Sequence, residues 1–170
     1  MTVAMKEIGL GFGSNVGDKV ANLHRAMELV FSRGPIEFLA ASSVWRTAPW
    51  GFVDQDWFAN ACAVGRTEMT ADEAIAFTQG VEADIGREKT FRWGPRVIDV
   101  DILYLGEERV SSERLVVPHK EIFNRPFVLA PLAEIRPDLE LDGKSIRRAA
   151  EAAGSAGLSR LANPWKPAVS

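Results

Sequence analysis

Cysteine is almost absent from this chain. Its 170 residues include one, Cys62, which excludes a disulfide framework and a Cys-rich metal site. No apolar run approaches the length of a membrane span. The first residues lack the charged region, apolar stretch and small-residue cleavage site of an export signal. The expected compartment is therefore the cytoplasm. A net positive charge is missing too. The formal charge is −3, so no global basic field suits the chain to a nucleic-acid duplex. There are no internal repeats, low-complexity tracts or obvious linkers, and nothing calls for an obligate protein partner. The length points to one domain with one sizeable core, assigned to residues 1–161, with an irregular tail over 162–170 that carries two prolines. The apolar share, 46%, is ordinary for a globular protein.

Arginine, by contrast, is concentrated, at Arg87, Arg92, Arg96, Arg114 and Arg125. A mildly acidic chain with clustered arginines suits a small anionic ligand better than a polymer. Arg109, Arg147 and Arg148 read as ordinary surface charges.

The most informative stretch runs from Arg92 to Leu105. From Val97 it is rich in β-branched and apolar residues, as a buried strand is. Asp99 and Asp101 interrupt it. Side chains two apart share a face, roughly 6.5–7 Å apart along the strand, with Ile98, Val100 and Ile102 opposite. Two adjacent acids repel and lose hydration, which is costly without a positive partner. Mg²⁺ is a natural one, because it binds one or two carboxylates together with phosphate oxygens. Arg92 and Arg96 lie just upstream, and Gly94-Pro95 sets a turn that holds Arg96 near the acids. The alternative is a solvated acid pair at a strand end, neutralised by those arginines. Apolar residues continue past Asp101, which favours a position inside the strand.

Elsewhere the patterns are simpler. Lys6–Phe12 reads as a strand entering turn chemistry at residues 13–18. A helix follows, with Asp18 as N-cap, Val20, Leu23, Met27 and Val30 on one face, and Gly34-Pro35 closing it. Ile36–Thr47 and Trp57–Thr67 read as strands, antiparallel because their connection is short. Thr70 to Glu73 has capping-box form and opens a helix through Ile85, with Ala74, Phe77, Val81 and Ile85 inward. Residues 86–94 read as a charged loop. Pro118-His119 begins a turn, and Phe127–Ile135 is apolar and compatible with helix or strand. The order strand, helix, strand, strand, helix, strand indicates an α+β fold. Its core is ferredoxin-like, a mainly antiparallel sheet packed with helices, with extra C-terminal elements. Gly9, Gly11, Gly13 and Gly17 suggest a nucleotide loop, yet the P-loop fails because Asp18 follows Gly17. The dinucleotide pattern fails because Val16 stands where the third glycine belongs. These glycines are read as allowing tight turning beside a ligand, or as purely structural.

Together these segments resemble the 6-hydroxymethyl-7,8-dihydropterin pyrophosphokinase family. The most specific match is Arg92-Trp93-Gly94-Pro95-Arg96-x-x-Asp99-x-Asp101-Ile102-Leu103. It is joined by Gly13-Ser14-Asn15-x-Gly17-Asp18, by Arg46-Thr47-x-Pro49 with Asn60-Ala61, and by Val117-Pro118-His119 with Arg125-x-Phe127-Val128-Leu129-x-Pro131-Leu132, in family order over about residues 8 to 140. The resemblance implies transfer of pyrophosphate from ATP to the hydroxymethyl group of a reduced pterin in folate biosynthesis, with two Mg²⁺ ions and AMP as leaving group. It implies metal ligation by Asp99 and Asp101 and charge neutralisation by Arg87, Arg92 and Arg96. ATP would be held by Gln79, Glu82, Arg87, Arg96, Ile98, His119 and Arg125. The pterin would be held by Thr47, Pro49, Trp50, Phe58, Asn60 and Phe127. The residue types agree with this, since a flat, polar-edged pterin needs an aromatic face and an amide. Taken by itself, a Phe in an apolar run is more often core, and His119 after a proline is an ordinary turn residue.

Three features depart from the family pattern. Phe58 stands where Tyr is frequent, Lys120 stands where an aromatic occurs, and the loop 86–93 is slightly short. Phosphoryl transfer relies on positioning and charge neutralisation, so the loops 47–56 and 86–93 are expected to act as lids that exclude water. Two competing readings are an RNA-binding module, opposed by the acidic balance, and a nucleotide sensor without turnover.

Overall fold

Ile8, Leu10 and Phe12 alternate with Gly9, Gly11 and Gly13. The computed structural model, which describes residues 4–48, 57–89 and 97–168, places both sets in one strand. The apolar set is buried, at 2% exposure or less. The elements in chain order are β1 (Lys6–Ser14), α1 (Lys19–Ser32), β2 (Ile36–Ala41), β3 (Val44–Thr47), β4 (Phe58–Thr67), α2 (Ala71–Lys89), β5 (Asp99–Leu105), β6 (Val110–Ser111) and β7 (Val116–Val117). A 3₁₀ turn (Ile122–Asn124), α3 (Pro126–Ile135), β8 (Glu140–Leu141), β9 (Lys144–Ser145), α4 (Ile146–Ala153) and β10 (Leu158–Ala162) follow.

The main sheet is antiparallel, in the order β10-β3-β4-β1-β5, with β2 also pairing with β4. Taking β2 and β3 as one interrupted strand, the central strands β1 and β4 and the two helices that follow β1 and β4 give the expected α+β, ferredoxin-like arrangement. Two small hairpins, β6–β7 and β8–β9, accompany it. Helices cover both faces. Leu23, Met27 and Val30 of α1 and Ala74, Val81 and Ile85 of α2 pack on the face bearing Ile8, Leu10, Val100 and Ile102. Leu129 and Leu132 of α3 and Ile146 of α4 pack on the face bearing Cys62, Val64, Leu103 and Tyr104. No described helix is long and apolar enough to cross a membrane.

The start signals act as expected. Asp18 accepts a hydrogen bond from the Ala21 N–H at 3.1 Å. The Thr70 N–H donates to Glu73 at 3.0 Å and the Glu73 N–H donates to the Thr70 hydroxyl at 3.2 Å, a reciprocal box.

Several boundaries differ from the sequence reading. The strand expected over 36–47 is broken at Ser42-Ser43. There the Ser42 Oγ accepts from the Cys62 N–H at 2.9 Å and donates to the Ser43 carbonyl at 2.8 Å, while Ser43 donates to Glu134 on α3. One backbone bond to β4 persists, from the Ser42 N–H to the Cys62 carbonyl at 2.8 Å, and the serine side-chain bonds redirect the chain. β1 runs on through Gly13 and Ser14, because β5 pairs with it to Gly13 and β4 to Ser14. Helix α2 continues to Lys89, past the expected end at Ile85 and into the segment read as a loop. A glycine at 86 lowers helix propensity by only about 1 kcal/mol, which flanking turns outweigh. Strand β5 opens at Asp99 rather than Val97, so Asp99 lies at the strand's first position and Asp101 inside it. Residues 127–135 are helical, with Pro126 at the tolerated first turn. The tail after Ala162 has no regular structure through residue 168, yet it is packed. Trp165 stacks on Phe31 at 5.8 Å and meets Phe38 edge-on at 5.5 Å. Of the loops expected to act as lids, residues 49–56 and 90–93 lie outside the described residues.

Candidate active site

The site forms where three neighbouring strands present their pocket-side residues. Opposite Gly13 stand Asn60 on β4 and Asp99 on β5; opposite Gly11 stand Cys62 and Asp101. The glycines therefore lie between an amide, a thiol and two carboxylates, and leave the space that side chains would fill. A Cβ at Gly13 would come within 3.1 Å of Asn60 Oδ1, and one at Gly11 would meet Leu103 at 3.4 Å. None of Gly9, Gly11 or Gly13 has positive φ, whereas Gly17 does, at 66°. The tight turning expected of them occurs only at Gly17; Gly11 and Gly13 clear the floor, and Gly9 makes room for the Tyr104 ring.

A cavity of about 310 Å³ opens over that floor. Of the sequence-assigned residues it is lined by Thr47, Phe58, Asn60, Asp99, Asp101, Arg125 and Phe127. Thr47 ends β3, and its hydroxyl accepts from Asn60 Nδ2 at 2.8 Å. Phe127 is half-buried, on the open side of an α3 whose Val128, Leu129 and Leu132 face the core. The Arg125 guanidinium lies 5.9 Å from the Phe127 ring centre and 3.9 Å from Asp101 Oδ2. Both residues belong to the N-terminal end of α3, whose partial positive charge adds to the local preference for anions.

Other assigned residues lie around this cavity. His119 borders a neighbouring depression, shared with Asp101, Arg114 and Lys120. Burial lowers the His119 pKa, against the opposing pull of Asp101. Its Nδ1 accepts from the Glu121 N–H at 3.1 Å, so the neutral ring carries its proton on Nε2 and can donate it outward. Glu82 on α2 accepts from the Val100 N–H at 2.7 Å, between the two aspartates. Gln79 is exposed on α2. Ile98 is 3% exposed and packs into the core under the sheet, so its side chain does not line the cavity. Arg87 lies in the last turns of α2. Arg92, Arg96, Pro49 and Trp50 fall outside the described residues.

Sequence reasoning missed part of the floor. Leu103 continues the period-two series from Asp99 and Asp101, and that signal was present. Cys62 and Val128 enter only through strand register and helix docking. Ser14 of the Gly13-Ser14-Asn15 motif, with Asn22 of α1, also has a role that composition did not show. Ser14 Oγ donates to the Val97 carbonyl at 2.7 Å, and Asn22 Nδ2 donates to Ser14 Oγ at 3.1 Å and to the Val16 carbonyl at 2.8 Å. That buried chain ties the end of β1 to the entry of the aspartate strand.

Among the described residues no three His, Cys, Asp or Glu side chains converge on one point. The described groups that could hold a metal here are two carboxylates on one face of β5, both half-exposed toward the cavity. This all-oxygen, low-count donor set fits Mg²⁺, which keeps water and phosphate oxygens as its remaining ligands. It does not fit Zn²⁺, whose sites use three or four protein ligands, usually nitrogen or sulfur.

Known proteins carry the same pattern. Residues 9–137 match the family model described as 7,8-dihydro-6-hydroxymethylpterin-pyrophosphokinase. The chain is 45% identical over 152 residues to a 2-amino-4-hydroxy-6-hydroxymethyldihydropteridine pyrophosphokinase of Methylorubrum extorquens, covering 89% of this chain and 96% of that one. It is 38% identical over 136 residues to the protein of that name from Bacillus subtilis, covering 80% and 81%. Among solved structures, the wild-type HPPK-DHPS of Plasmodium falciparum superposes with a TM-score of 0.70 at 13% identity, over 88% of this chain and 45% of that one. That likeness concerns the fold, and this chain spans less than half of the longer one. By model match and identity alike, the chain belongs to the 7,8-dihydro-6-hydroxymethylpterin-pyrophosphokinase family.

Proposed function

We propose that this enzyme transfers pyrophosphate from ATP to the hydroxymethyl group of 6-hydroxymethyl-7,8-dihydropterin in folate biosynthesis, and that the cavity over Gly11 and Gly13 is where it does so. The observation that carries the assignment is the sharing of one cavity by Asp99 and Asp101 with Asn60, Thr47 and Phe127. One end supplies carboxylates for cation-bound phosphate. The other supplies an aromatic face and an amide for a flat heterocycle.

Each side chain has a definite task. Asn60 gives one amide hydrogen to Thr47, which fixes the amide plane and turns Oδ1 to accept from the pterin's N–H edge. Phe127 stacks on the ring, and Phe58 borders it without the hydroxyl frequent at that position. Asp99 and Asp101 would hold two Mg²⁺ ions, which would supply positive charge to the phosphates and make the attacking hydroxyl more acidic. Arg125 offers its guanidinium to phosphate oxygens, and His119 offers its Nε2–H. Arg87, Arg92 and Arg96 are assigned to the charge that grows on departing AMP, and Gln79, Glu82 and Ile98 to the nucleotide side. Pro49 and Trp50 complete the pterin side. In-line attack of the hydroxyl oxygen on the β-phosphorus breaks its bond to the α–β bridging oxygen, which leaves with AMP. The chain works as one domain onto which Trp165 packs, in the cytoplasm, where a lone unpaired cysteine such as Cys62 is ordinary.

The deciding assay couples AMP formation to a chromogenic readout with hydroxymethyl-dihydropterin and MgATP. AMP that accumulates only with both substrates supports the reaction. Binding of both without AMP would make the protein a sensor. A second test separates stacking from core packing. Phe127→Ala is expected to weaken pterin binding by about 1–3 kcal/mol while ATP binding stays nearly intact. Calorimetry with each ligand measures this, and equal losses for both would assign Phe127 to the core.

A further inference from the structure

The C-terminal segment, beyond the family-matched residues, contacts the wall of the cavity that holds Thr47. β10 runs antiparallel to β3, with Leu158 beside Thr47 and Arg160 beside Trp45. Just past the strand pair, the Gly157 carbonyl accepts the Ala48 N–H at 2.9 Å. Gly157 sits at φ 76°, a left-handed conformation that favours glycine. From there the chain leads away from the cavity, and Trp165 closes an aromatic trio with Phe31 and Phe38. The same segment also reaches α3. Arg160 lies 5.6 Å from the Trp45 ring and 3.9 Å from Glu134, which itself accepts from Trp45 Nε1 at 3.0 Å and from Ser43.

We infer that this segment is a clamp, whose strand holds Thr47 and Ala48 in place against Asn60 and whose Trp165 anchors the far end. β3 is only four residues long and ends at Thr47. With β10 on one side and β4 on the other, its end is fixed; without β10 it would be a short edge strand, prone to fray. Thr47 sets the Asn60 amide through their 2.8 Å bond, so slack in β3 loosens the amide that meets the pterin. The nucleotide-side groups of β5 and α2 lie across the sheet from this contact, and Arg125 stands at the opposite end of α3 from Glu134. The inference rests on the pterin occupying the Asn60–Phe127 end.

The test uses full-length variants. Trp165→Ala removes the anchor, and Gly157→Val strains the left-handed backbone at the carbonyl that holds Ala48. Pterin Kd is measured by calorimetry with Mg²⁺ and a non-hydrolysable ATP analogue present, ATP Kd separately, and Ala48 amide exchange by NMR. Both variants are expected to speed Ala48 exchange and raise pterin Kd roughly three- to tenfold, the scale of one weakened hydrogen bond, with ATP Kd within twofold. Trp165→Phe keeps the stack and is expected to restore the wild-type pterin Kd. Faster Ala48 exchange with an unchanged pterin Kd overturns the clamp, as does an equal loss for both ligands. Asn60→Ala is the control for the underlying placement. If it too leaves pterin Kd unchanged, the pterin lies elsewhere and both assignments fall; if it alone weakens binding, only the clamp does.

Discussion

Asp101→Ala is expected to lower single-turnover pyrophosphate transfer about 10³-fold, on the order of 4 kcal/mol of transition-state stabilisation, with the fold intact. Asp101 lies in the middle of the cavity floor, paired across the sheet with Gly11. Its side chain is 48% exposed, and Arg125 Nη1 lies 3.9 Å away. At that distance and exposure the ion pair adds little to stability, so its removal leaves the melting temperature nearly unchanged. What is lost is a fixed negative charge beside Asp99. Asp99→Ala is expected to behave alike. Raising Mg²⁺ should recover part of the rate if the defect is weakened ion binding. Asp101→Asn, which keeps the shape and one oxygen but not the charge, should remain close to the alanine variant. A folded variant with near-normal turnover at limiting Mg²⁺ removes that residue from the metal centre.

Gly9→Ala is expected to destabilise the protein by about 3 kcal/mol, at the upper end of overpacking costs, and to lower Tm by roughly 6–12 °C. A Cβ at Gly9 would come within 2.1 Å of the Tyr104 ring. That ring is 2% exposed and cannot swing aside. Its hydroxyl donates to Glu7, and Arg136 grips the same carboxylate through Nε at 3.2 Å and Nη2 at 3.0 Å. Burial, then the Glu7 bond, pushes the Tyr104 pKa up, so the phenol stays protonated as the donor. Since the ring is pinned at both ends, the strain passes to the pairing of β1 with β5, which sets the height of the two aspartates. Thermal melts give the size of the effect. Combining the substitution with Tyr104→Ala removes the clash, and the two losses should fall short of adding. A Tm within 1 °C of wild type for Gly9→Ala would falsify the pinned-ring account.

Much of this architecture could be read from residues near one another in the chain. The period-two pattern of Ile8, Leu10 and Phe12, the Asp18 cap and the Thr70–Glu73 box concern neighbours within one turn or one strand, and local sterics and hydrogen bonding decide them. The same holds for Asp99 and Asp101, whose shared face follows from strand geometry alone. Ends were harder. Whether α2 stops at Ile85 or runs to Lys89, and whether Gly13 lies in a turn or a strand, depends on what packs alongside.

The sequence by itself determined the order of elements, the acidic pair and the family motifs, because each is written in contiguous residues. Tertiary structure alone decided the cavity. The register of β4 on β1 brings Asn60 and Cys62 against the glycines. An irregularity in the β1–β5 pairing between Gly9 and Leu10 lets Leu103 and Tyr104 both pack on the cavity-side face, which strict alternation forbids. Residues 158–162 come back to pair with β3. Each of these contacts joins segments more than forty residues apart, and their positions follow from how the two helical layers fill the faces of one sheet.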